Sequence, residues 1–156
     1  MRDFTGTHDD PVASTAKLTM IDNAFVHFIR DPRDLPFIYL MIKMSCSVVP
    51  LGISLFSALF TGWAWYAAAA VQLFLMVAVF LGPYTLMLHL TSHRRFFKQE
   101  YAFMNKYIPY VLGPFMGQTP ESYYSHHVGM HHTEANMPED GSSTMMYQRD
   151  EILHFL

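Results

Sequence analysis

Apolar and polar positions along this chain fall in long blocks. The first 34 residues are mixed, with Asp3, Asp9 and Asp10 ahead of any apolar run. From Leu35 to Phe60 runs LPFIYLMIKMSCSVVPLGISLFSALF, Thr61-Gly62 interrupts it, and a second run from Trp63 to Leu88 carries no charge. Each run is 26 residues long, about 39 Å as a helix, against roughly 30 Å of bilayer hydrocarbon. Between Leu35 and His93 the only formally charged side chain is Lys43. An even spread of the 10 basic and 13 acidic residues would put about nine there. The pattern predicts an antiparallel transmembrane hairpin. Lys43 lies close enough to the first span's start to reach the headgroups with its ammonium. Pro50 removes a helical hydrogen bond and predicts a kink. Trp63, Trp65 and Tyr66 suit an interfacial aromatic belt.

After Arg94 the texture changes. FFKQEYAFMNKYIPYVLGPFMG mixes aromatics with Lys98, Glu100 and Lys106 and is broken by Pro109, Gly113 and Pro114. It is too broken to span but apolar enough to lie in the membrane interface. From Thr119 the chain is polar, with Pro-Glu-Asp-Gly at 138–141 as a turn signal. The expected class is therefore all-α integral membrane: a transmembrane helical hairpin, an interfacial helix, then a His-rich helical segment. Three parts follow: a polar lead-in over 1–34, the hairpin over 35–93, and an interfacial and cytosolic part over 94–156.

Composition and charge narrow the function. Charged residues are 15% and apolar residues 51%, whereas a soluble domain carries roughly 25% charged. That excludes an ordinary soluble domain and a disordered chain. A net charge of −3 gives no basic field for nucleic acid. The single cysteine, Cys46, allows no intrachain disulfide. The N-terminus lacks the basic start and apolar core of a cleaved export signal. Arg2, Lys17, Arg30 and Arg33 precede the hairpin, Arg94, Arg95, Lys98 and Lys106 follow it, and its turn has no Lys or Arg. The positive-inside rule places both ends in the cytosol, of a bacterial inner membrane or an endoplasmic reticulum.

Histidine carries the candidate chemistry. Six of the nine histidines lie between 89 and 132, four of them within His126–His132. In HLTSH, His89 and His93 share a helix face if the second span continues. In HHVGMHH, His127 and His131 repeat that spacing, while His132 points about 100° away from His131 in an α-helix. Read alone, the first pair fits a polar cap at headgroup level better than a metal site, and the second group fits a metal site with a solvated turn as its rival. Together, on one side and near one membrane depth, they point to metal. Imidazole suits zinc, copper, iron and nickel. Five or six histidines without paired thiols exceed what one tetrahedral ion needs, favouring a polynuclear site with iron leading. Glu134, Glu139, Asp140 and Glu100 are carboxylates available to fix the imidazole tautomers, and Glu139 and Asp140 equally fit a surface turn. His8, His27 and His154 read as incidental surface residues.

With these residues in view, the chain resembles the membrane fatty acid desaturases. HLTSH is similar to their first histidine box, H-x3-H, and HVGMHH to their second, H-x3-HH, in the same order behind a hairpin. The resemblance covers roughly residues 20–156 and is specific for His-rich membrane di-iron oxygenases. It is less specific for desaturation, since hydroxylases and other lipid oxygenases share related boxes. It implies two iron ions held by His89, His93, His127, His131 and His132, with His126 the weakest member. It implies O2 as co-substrate and ferredoxin or cytochrome b5 as electron donor. The substrate would be an acyl-lipid, an acyl-CoA or an acyl-carrier-protein chain, losing two hydrogens to form a double bond. The family's third box and second hairpin do not occur in these 156 residues. The chain is thus expected to be the N-terminal part of a longer desaturase, inactive alone. The competing reading is a non-catalytic membrane module binding zinc or another ion.

Overall fold

The structure, a computed structural model, describes residues 18–132. Every element among them is helical. Helix α1 (Met20–Val26) opens with a capping box, in which the Asp22 backbone N–H donates to Thr19 Oγ1 at 3.1 Å and Asp22 Oδ2 accepts from the Thr19 N–H at 2.8 Å. The Tyr39 hydroxyl donates to the other oxygen of Asp22 and ties α1 to the first long helix.

Two helices are long and apolar enough to cross a membrane, Pro32–Phe56 and Gly62–His93. A core helix of a soluble protein is mostly buried. Here only 33% of the most apolar window of the first helix and 6% of that of the second are buried within the chain. Phe56, Trp63, Leu73 and Phe74 lie open, a surface suited to lipid and not to water.

The first long helix is two pieces, α2 (Leu35–Cys46) and α3 (Val48–Phe56), broken at Ser47 with φ −124° and ψ −71°. The ring of Pro50 collides with the carbonyl four residues back, which is that of Cys46, so the interruption falls where the proline requires it. This helix stops at Phe56, short of the predicted Phe60, because Ala58 turns left-handed at φ 56° and starts the reversal. The second long helix comprises α4 (Gly62–Phe74), a π-helical turn (Leu75–Phe80) and α5 (Leu81–His93). Pro83, which cannot donate, lies just after the π turn, one of the recognised causes of a local change in helix winding.

At 32 residues, about 48 Å, this helix is longer than a bilayer's hydrocarbon layer is thick, and its last turns are the ones beyond the uncharged run. His89 and His93 stand on those turns.

The two open ends of the hairpin are joined. The Arg30 N–H donates to the Phe96 carbonyl and the Lys98 N–H to the Phe28 carbonyl, both at 3.0 Å, flanking a single antiparallel bridge between Ile29 and Phe97. The Arg94 guanidinium donates to Asp34 Oδ1 at 2.7 Å, with Asp34 2% exposed. Asn105 Oδ1 accepts from the N–H groups of Phe96 and Phe97 at 3.0 and 3.1 Å and holds the chain as it leaves the helix. The residues before the first span and after the second therefore share one side of the hairpin.

The segment expected to lie in the interface packs along the hairpin. It forms a 3-10 helix (Gln99–Lys106), a π-helical turn (Ile108–Leu112) and the short α6 (Gly113–Phe115). It descends along the first helix. Phe96 meets Phe37 at a ring separation of 6.4 Å, Tyr107 Oη lies 2.6 Å from Ser45 Oγ, and the Phe115 ring lies on Gly52. Ser45 and Gly52 stand about 15 and 25 Å along the helix from Leu35. The descent reverses at Gly117, whose φ of 77° suits glycine, in a Schellman turn: Gln118 N–H donates to Gly113 O at 3.0 Å and Gly117 N–H to Pro114 O at 3.2 Å. The return climbs the second helix, passing Tyr84, whose hydroxyl lies 3.5 Å from Gln118 Oε1. Its prolines and glycines, which bar a spanning helix, are what let the segment fold back on itself.

The core lies between these limbs, with Met44, Val48, Tyr84, Met87, Phe96, Ile108 and Leu112 buried.

One prediction arises at the hairpin entrance. The Arg33 guanidinium and N–H bond the Asp31 carboxylate, the closest contact 2.7 Å, and hold its pKa at about 2, with desolvation opposing. A carboxylate lowered from 3.8 adds stability above pH 4 and loses it as pH falls towards 2. Arg33 is 76% exposed, so solvent screening keeps the gain small. Asp31→Asn should lower the thermal midpoint slightly at pH 7, by an amount that shrinks between pH 4 and pH 2 and vanishes below it, checked by unfolding scans in detergent across that range.

Candidate metal centre

Helix α5 presents His89 and His93 one turn apart, rings 4.9 Å between centroids, as the spacing predicts. The returning limb forms α7 (Ser122–His126) and passes directly into a π-helical turn (His127–His131). His127 opens that turn and faces both histidines of α5, with ring separations of 4.6 Å to His89 and 5.2 Å to His93. The ligand nitrogens of His89, His93 and His127 all lie within 4.8 Å of one another. His127 Nε2 is 3.2 Å from His93 Nε2 and 3.2 Å from His132 Nε2. The His132 ring is also 4.8 Å from that of His93.

The π turn accounts for the place of His132. In an α-helix His132 would diverge from the face that carries His127. A π turn repeats at i, i+5, so His127 and His132 share a face. His132 joins the cluster because of it. His131 closes the same turn, and its side chain lies outside the described residues, as do Glu134, Glu139, Asp140, His8 and His154. His126 is exposed on α7 and outside the cluster. Glu100 is exposed within the 3-10 helix, and no contact ties it to the cluster among the described residues. His27 pairs instead with Tyr101, its Nε2 3.3 Å from the hydroxyl.

The donor set fits a metal ion. Metal–imidazole bonds of about 2.0–2.1 Å at a tetrahedral angle set neighbouring nitrogens about 3.3 Å apart. Both 3.2 Å separations match that spacing. A neutral imidazole nitrogen either donates or accepts, so one Nε2 facing two others is poorly served by hydrogen bonds alone. His89 and His93 are exposed and His127 half-buried, so the cluster lies at the mouth of the hairpin and is open to exchange.

Two features escaped the sequence reading. Tyr123 stacks on His127, centroids 5.2 Å apart and planes 26° from parallel, and burial raises its pKa. The i, i+4 spacing of Tyr123 and His127 in SYYSH was the available signal. Arg94, read only as a charge count, is the residue after His93. Its ion pair with buried Asp34 fixes the end of α5 that carries the site.

Searched against protein-family models, curated proteins and solved structures, the chain matches none.

Proposed function

We propose that this chain is part of a membrane fatty acid desaturase, an O2-dependent oxidoreductase that removes two hydrogens from an acyl chain at a di-iron centre on the cytosolic face. The observation that carries this reading is the convergence of HLTSH and HVGMHH. Histidines 34 residues apart in sequence bring their Nε2 atoms to 3.2 Å at the end of a long apolar helix. The order of the two boxes behind a hairpin resembles the desaturase arrangement, and the cluster's place at the end of the hairpin suits a substrate entering from lipid.

On this reading His89, His93, His127 and His132 hold iron, with His131 the fifth ligand on the box pattern. Bound iron supplies an oxidant able to cleave an unactivated C–H bond, which no acid or base side chain can do. The protein's share is placement. Tyr123 packs flat on His127 and restricts its ring, and the Asp34–Arg94 pair holds the end of α5. Holding a methylene within reach replaces a bimolecular encounter by an oriented one. The family's third box is absent from these residues, so remaining iron ligands would come from outside them. Electrons would come from ferredoxin or cytochrome b5.

The test is expression of the coding sequence, read through in its source DNA, in a host of known fatty-acid composition. A new double bond that forms only with oxygen, and is lost in both His93→Ala and His131→Ala, is the expected result. Hydroxylated product would reassign the chain to the related hydroxylases. An unchanged lipid profile with tightly bound zinc would leave a metal-binding membrane module.

A further inference from the structure

Beside the histidine cluster, and separate from it, is a cleft of about 570 Å³ between the end of α5 and the folded-back limbs. That volume is in the range of small-molecule sites. Its two ends differ in chemistry. The inner end is formed by Leu88 and Ile108, both buried in the core, and by Pro109. The rim carries two exposed cations, Arg95 and Lys106. Arg95 spends one N–H on Gln99 Oε1 at 3.0 Å, and neither cation has an ion pair among the described residues. The one acid on the lining, Glu121, accepts the Tyr110 hydroxyl at 3.0 Å. Tyr123, stacked on His127, forms part of the wall.

We propose that this cleft binds an amphiphile with an anionic head, a phosphate or carboxylate held by Arg95 and Lys106, with the start of its alkyl chain between Leu88, Ile108 and Pro109. Charge complementarity selects the head, because two unpaired cations facing one space favour an anion that accepts from both. The apolar inner end selects a chain over a free ion, because burying methylenes against Leu88 and Ile108 is favourable only if the ligand has them. The binding does not depend on metal or on oxidation. It adds to the proposed function only that Tyr123 is shared, lining this cleft and stacking on His127 of the neighbouring cluster.

The experiment uses the full chain in phosphatidylcholine nanodiscs, titrated with dodecyl phosphate, dodecyl maltoside and inorganic phosphate. Dodecyl phosphate is expected to bind at least about tenfold more tightly than either of the others. Arg95→Gln and Lys106→Gln should each weaken it about tenfold, the loss of one charge-assisted hydrogen bond. Arg33→Gln, whose guanidinium is engaged by Asp31 outside the cleft, should leave it unchanged. Leu88→Asn should weaken dodecyl phosphate and leave any inorganic phosphate binding as it was. Equal binding of dodecyl maltoside would overturn the anionic head, and equal binding of inorganic phosphate would overturn the alkyl chain. Unchanged affinity in the Arg95 and Lys106 variants, with normal nanodisc incorporation, would overturn the site. Loss of oxygen chemistry with this binding intact would count against the desaturase reading alone.

Discussion

Replacing His127 with alanine is expected to weaken metal binding by about a hundredfold or more, roughly 2.7 kcal/mol, while insertion into the membrane is unaffected. His127 is the hub of the cluster: its Nε2 stands 3.2 Å from the nitrogens of both His93 and His132, and its ring is 4.6 Å from that of His89. Removing it takes away the nitrogen that stands 3.2 Å from those of both His93 and His132. His126→Ala, one residue away but outside the cluster, should retain the metal. Titration of the purified chain with ferrous iron under anaerobic conditions, followed by metal analysis after desalting, measures both. Equal retention by wild type and His127→Ala would remove His127 from the site. Equal loss in His126→Ala would mean that the helical register here is wrong.

The second large effect is expected at Gly52, far from the histidines. A Cβ at this position would lie 2.6 Å from one ring carbon of Phe115 and 2.8 Å from the next, closer than real Cβ contacts come. Gly52→Ala must therefore shift the Phe115 ring or the segment that carries it. Overpacking of this kind costs about 1–3 kcal/mol, a fall of roughly 2–10 °C in the thermal midpoint for a chain of this size. Phe115→Leu in the same chain should recover part of the loss, because a smaller side chain makes room for the methyl. The coupling between the two substitutions should reach about 1 kcal/mol in a double-mutant cycle followed by detergent unfolding. Additive effects would mean that Phe115 and Gly52 do not touch.

Much of the fold was legible because helices long and apolar enough to cross a membrane obey a simple pattern. The hairpin, the break ahead of Pro50 and the turn at Thr61-Gly62 follow from apolar run length, one missing N–H and one glycine. The pairing of His89 with His93 follows from the α-helical repeat. What was not legible depended on departures from that repeat or on distant contacts. His132 turned inward because the chain winds more loosely from His127 to His131, and nothing in HVGMH marks that change. The folded-back course of the 94–118 segment depends on Phe115 finding Gly52, a contact between residues 63 positions apart. Its prolines and glycines announced that it would not span, but not that it would pack along the hairpin. Arg94 and Asp34 were visible as charges, while their union across the hairpin entrance was not.

The central claim is that histidines from the end of α5 and from the π turn hold iron together. Iron K-edge absorption of the full chain, loaded with ferrous iron and desalted without oxygen, tests it most directly. The account predicts retained iron with scattering from at least three imidazoles, falling in His93→Ala. Iron lost on desalting, or bound through oxygen ligands with no imidazole shell, would contradict it.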